Sequence, residues 1–102
     1  SSDWGQVVQY CFRWQHKNGV EDLKKALWFI NDALKHSVPP IAAWNSEDAC
    51  DSKAKADTLL GILATENWAD LGRFWLEFER GTPWSVRRAL TEKINEIEKE
   101  GK

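Results

Sequence analysis

Apolar residues recur at steps of three and four along most of this chain, the spacing that gathers side chains on one face of an α-helix. The most regular run is Val20, Leu23, Leu27, Ile30 and Leu34. A second set on the same segment, Ala26, Phe29 and Ala33, predicts a central helix contacted on two sides. Trp4, Val7, Val8, Cys11 and Trp14 give an earlier helix its inner face, with Phe12 at the margin. Ala49, Ala56, Leu59, Leu60 and Leu63 mark a third helix. Trp68, Leu71, Trp75 and Phe78, with Phe74 beside them, mark a fourth, and Val86, Leu90, Ile94 and Ile97 a fifth. No run alternates with a period of two, so no sheet is expected. The pattern predicts one all-α domain over residues 1–102, a compact bundle of four or five helices at about 3–18, 20–37, 46–64, 67–80 and 83–99.

Polar punctuation sets those boundaries. His16-Lys17-Asn18 before Gly19 reads as a helix C-terminus, with cations at the negative dipole end and glycine in the left-handed position. Glu21 and Asp22 then fall in the first turn of the next helix, where anions are favoured. Pro39-Pro40 cannot continue that helix. Ile41 to Trp44 reads as an apolar linker, and Asn45 or Ser46 as the cap of the third helix. Asn67 with Asp70 reads as a restart, although Gly61 and Gly72 break the pattern so weakly that one kinked helix fits as well. Gly81 stops the fourth segment, and Thr82-Pro83 opens the fifth as N-cap and first helical residue.

Composition changes this picture at one point. The 102 residues include seven tryptophans, no methionine and one tyrosine. A core of this size does not hold seven indoles, so one or two are expected at the surface, where aromatic rings favour interfaces. Net charge is −2, which gives no global basic field for nucleic acid. Cys11 and Cys50 lack metal-site spacing and are expected reduced, Cys11 as a packed apolar residue. With no leader and no long apolar run, a cytoplasmic protein is expected.

Chemistry-bearing motifs are sparse. No glycine-rich loop with lysine is present to cradle phosphate. His16 and His36 lie on different helices with no ligand partner expected at helical spacing, so neither metal nor cofactor is expected. Glu66, Asp70, Glu77 and Glu79 lack the dense pairing of a magnesium-dependent pyrophosphohydrolase site. Two polar sets remain. Arg73, Arg80, Trp84, Arg87 and Arg88, near Trp75, combine the residue types that dominate protein interfaces. Arg13, Lys17 and Lys25 could clamp a phosphate, or could pair with Glu21 or Asp22 and fix the corner between the first two helices.

Tyr10, Arg13, Lys17, Gly19, Glu21-Asp22-Leu23, Lys25-Ala26 and Trp28-Phe29 resemble the C-terminal half of the phage-associated DUF3310 (SaV-like) family, over residues 7–34. Gln9 and Phe29 depart from that pattern, which has lysine and tyrosine there, and the family's upstream His-Tyr segment has no counterpart. The resemblance implies a bacteriophage or prophage origin and a loose link to nucleotide metabolism. The leading expectation is a non-enzymatic protein that binds a host protein, as inhibitor or adaptor, through the Trp/Arg set. The alternatives are a nucleotide-binding or nucleotide-phosphorylating protein using Arg13 and Lys17, and a homo-oligomeric scaffold with the second helix as its seam.

Overall fold

The structure, a computed structural model, describes residues 3–38, Pro40 and residues 58–101. Within them the chain forms α1 (Asp3–Arg13), a 3-10 turn (Trp14–His16) and α2 (Val20–Lys35). After these come α3 (residues 58–65), a second 3-10 turn (Trp68–Asp70), α4 (Gly72–Arg80) and α5 (Pro83–Glu100). The all-α class is as expected, and no strand occurs among the described residues. The readings made on Ile41 to Trp44, Asn45, Ser46, Ala49, Cys50 and Ala56 lie outside them. No helix among the described residues is long and apolar enough to cross a membrane.

The first helix ends sooner than its apolar spacing suggests. After Arg13 it tightens, and the Trp14 carbonyl accepts from the Lys17 and Gly19 amides at 3.4 and 2.9 Å. Gly19 then takes φ 63°, ψ −138°, backbone that a residue with a Cβ rarely adopts. Asp22, in the first turn of α2, turns its carboxylate back onto the Asn18 amide (3.4 Å) and side chain (3.2 Å), a variant of the capping box. At its far end α2 closes before the two prolines. Val38 N–H donates to the Ala33 carbonyl (2.9 Å) and Ser37 N–H to that of Leu34 (3.1 Å), with Ser37 at φ 57°. This is a Schellman closure with serine where glycine is usual.

Between α3 and α4 the chain is broken, so one continuous kinked helix is excluded. Asn67, Ala69 and Asp70 all have positive φ. Asn67 is still the cap that its sequence position suggests, but it acts five residues on: its Oδ1 accepts from the Gly72 amide at 2.7 Å. A Cβ on Gly72 would fall 2.7 Å from that oxygen and 3.1 Å from the Ala64 carbonyl oxygen, so only glycine fits.

The α2 helix packs between α1 and α5, and α4 packs on α5. The core is Trp4, Val7 and Cys11 from α1, Leu23, Ala26, Ile30 and Ala33 from α2, and Leu60 and Leu63 from α3. Leu71, then Phe74, Trp75 and Phe78 of α4, and Val86, Ala89, Leu90 and Ile94 of α5 complete it. On α2 the deepest line is therefore Leu23–Ala26–Ile30–Ala33, while Val20, Leu27, Phe29 and Leu34 are half-buried flanks. Ala26 and Ala33 are buried as deeply as Leu23 and Ile30, because a helix covered on two sides needs small side chains where its neighbours pack closely. Leu59 and Trp68, expected on inner faces, are exposed.

Candidate functional site

The corner between α1 and α2 is built on a buried acid. Asp22 is fully buried, and Arg13 Nε lies 3.6 Å from its Oδ2. A buried carboxylate must be paired or hydrogen-bonded, and here the partners are Arg13 and Asn18. The Arg13 guanidinium also sits 4.9 Å from the Tyr10 ring centroid, with Lys25 Nζ 5.9 Å from it. Tyr10 in turn stacks on Phe29. Arg13 thus holds the corner together, the second of the two roles its sequence position allowed. Lys17 and Lys25 remain exposed. Cys11 is buried beside Asp22, and burial first, then the Asp22 charge, pushes its thiol well above the usual range.

The tryptophans divide sharply by what their indole N–H does. Trp4 donates to the Val38 carbonyl (2.8 Å), Trp14 to Ala69 (2.9 Å), Trp75 to Trp68 (3.0 Å) and Trp68 to Phe12 (3.3 Å). Each ties a helix or a turn to another stretch of chain through a backbone carbonyl. Phe12 stacks on Trp68 at 4.9 Å between centroids, which shields that junction. Trp28 and Trp84 are different. They are 61% and 67% exposed, and neither indole N–H has a partner among the described residues.

Trp28 shares a side of α2 with Lys24 and Asn31, and Trp84 precedes Arg87 by one turn of α5. Lys24 Nζ meets Glu98 Oε2 at 2.8 Å, and Arg87 Nε donates to Asn31 Oδ1 at 2.7 Å, so the two helices run antiparallel. Trp84, one turn before Arg87, lies toward the C-terminal end of α2. A shallow open groove lined by Trp28, Asn31, Asp32 and Lys35 runs along α2 beside the Asn31–Arg87 clasp. Of the sequence-predicted Trp/Arg set, Trp84, Arg87 and Arg88 belong to α5, with Arg87 meeting α2. Arg73 and Arg80 are exposed on α4, and Arg80 is paired with Glu77 at 3.2 Å. The structure does not join those two arginines to the α2–α5 face. Sequence reasoning left Trp28 out of the interface set. The signal was present, because Trp28 shares the polar side of α2 with Glu21, Lys24, Lys25, Asn31 and Lys35.

Asp70 is held by Lys93 Nζ at 3.1 Å and by Asn67 Nδ2 at 3.2 Å, and these two partners bring its carboxyl below the usual range. At the other end of the molecule, Asp3, Asp32 and His36 each bring one oxygen or nitrogen within 4.8 Å of the others. His36 Nδ1 is 2.8 Å from the Asp32 carbonyl oxygen and 3.7 Å from its Oδ1. Burial first, then the contact with Asp32, raises the Asp3 carboxyl. The expectation that neither histidine has a ligand-type neighbour at helical spacing is thereby corrected for His36. Asp32 precedes it by four residues, one turn of the same helix.

In comparison with known proteins, the chain matches no family model, no curated protein and no solved structure.

Proposed function

We propose that this chain acts by binding another protein, and that the contact is the α2–α5 face carrying Trp28 and Trp84. The observation that supports the reading is the division among the indoles. Four close the fold through their N–H groups, while the indole N–H groups of the two most exposed bond nothing among the described residues. Tryptophan and arginine dominate interface energetics because a large ring or planar guanidinium gains most when water leaves it. Lys35 lines the groove with Trp28, and Arg87 and Arg88 follow Trp84 by three and four positions on α5. The DUF3310 resemblance extends the proposal to a phage-encoded inhibitor or adaptor working on a protein of the bacterial cytoplasm.

The alternative of nucleotide binding draws on Lys17 and Lys25, since Arg13 is held by Asp22. An oligomeric scaffold seamed along α2 is disfavoured, because α1 and α5 of the same chain cover that stripe. The test is affinity capture from host lysate with the wild-type chain and with a Trp28→Ala/Trp84→Ala double variant. A protein retained by wild type and lost, or weakened at least tenfold, with the double variant supports the reading. Equal retention by both, or retention of nothing together with saturable nucleotide binding, overturns it.

A further inference from the structure

The meeting point of the first turn of α1 and the last turn of α2 brings together two carboxylates and an imidazole. Asp3 comes from α1, Asp32 from α2, and His36 caps the end of α2. Their ligand atoms all lie within 4.8 Å of one another. A zinc-type ion holds nitrogen and oxygen ligands at about 2.0–2.2 Å, so the ligand atoms around one tetrahedral ion stand about 3.4 Å apart. A small rotation of exposed side chains closes the set to that size. From this geometry we infer that Asp3, Asp32 and His36 form a site for a divalent transition-metal ion, of the zinc or cobalt type, which clips the start of α1 to the end of α2.

Three features of the chemistry agree. Two ionised carboxylates and a neutral imidazole carry two negative charges, which a divalent ion neutralises. Asp32 and His36 are four apart on one helical turn, the spacing by which a helix presents two ligands to one ion. The ring nitrogen facing Asp32 is Nδ1, which donates its proton to the Asp32 carbonyl oxygen at 2.8 Å and must give up that bond to take the ion. When the ion takes Nδ1, the ring proton resides on Nε2, which faces solvent. The imidazole selects against magnesium, which prefers all-oxygen surroundings and retains its water. Asp32 also lines the Trp28–Lys35 groove.

The test is calorimetric titration of zinc into the metal-stripped chain, alongside His36→Ala, Asp32→Asn and Asp3→Asn. All three side chains are partly or largely exposed, so the variants retain the fold, and circular dichroism verifies it. The wild type should bind one equivalent saturably, each variant at least tenfold more weakly, and magnesium without saturation. Zinc should also raise the melting temperature of the wild type but not of His36→Ala. A cobalt-loaded wild type should show ligand-field bands without thiolate charge transfer. Absence of saturable zinc binding at millimolar concentration overturns the assignment. So does unchanged binding by His36→Ala, or a thiolate band, which would put the ion on a cysteine.

Discussion

At the scale of single residues, burial alone does not distinguish the tryptophans; the destination of each indole N–H does. Replacing Trp4 or Trp75 by alanine should cost about 3–5 kcal/mol, through both cavity and lost packing. Trp28→Ala and Trp84→Ala should each change stability by less than about 0.5 kcal/mol, as exposed substitutions do. Urea denaturation of the four variants checks the contrast. Cys11 should resist alkylation in the folded protein and react on unfolding, measured by mass mapping of that peptide, because its thiol is buried beside a carboxylate. Arg13→Ala should lose about 1–3 kcal/mol by stranding the buried Asp22, discounted because Arg13 is itself 35% exposed. Lys17→Ala is therefore the cleaner probe of any phosphate binding. Periodicity in the sequence already put Trp4 and Trp75 inside. It could not show which carbonyl each indole meets, since those pairs include separations of 34, 55 and 56 residues.

The elements were legible where local chemistry decides them. Gly19, Gly81 and Thr82-Pro83 mark the boundaries that their backbone requirements impose. The break around residues 66–71 was harder to read, because its positive-φ positions are Asn67, Ala69 and Asp70, with neither glycine nor proline among them. Tertiary bonds hold that turn, chiefly Trp14 to Ala69 and Lys93 to Asp70. The rotation of the α2 face has a similar cause: periodicity weighs leucine above alanine, whereas a helix enclosed on two sides buries its alanines as deeply as its large residues. Ile30→Ala should accordingly cost about 2–5 kcal/mol, and Leu27→Ala, at the half-buried margin, about 1 kcal/mol. Equal costs for the two in urea melts would restore Leu27 to the central line. Gly72→Ala should destabilise by about 1–3 kcal/mol through overpacking against Asn67 and Ala64.

Across the whole molecule, α2 is the shared wall between α1 and α5, and the polar links lie at its rims. The turn before α4 is fastened to α5 by Asp70 and Lys93, and this contact sets a pH dependence. The Asp70 carboxyl is lowered in the fold by Lys93 and Asn67, so its stabilising effect is present above the unfolded value near 3.9. It is lost as pH falls through the lower folded value. Asp70→Asn should therefore be less stable than wild type at neutral pH and should converge with it in acid, read from urea midpoints against pH.

Hydrogen exchange at the indole N–H groups, followed by NMR, tests the central claim most directly. Trp4, Trp14 and Trp75 should exchange slowly, and Trp28 and Trp84 at nearly the rate of free indole. Protection of Trp28 and Trp84 equal to that of Trp4 would mean that these rings belong to the fold, and would remove the α2–α5 face as a contact surface.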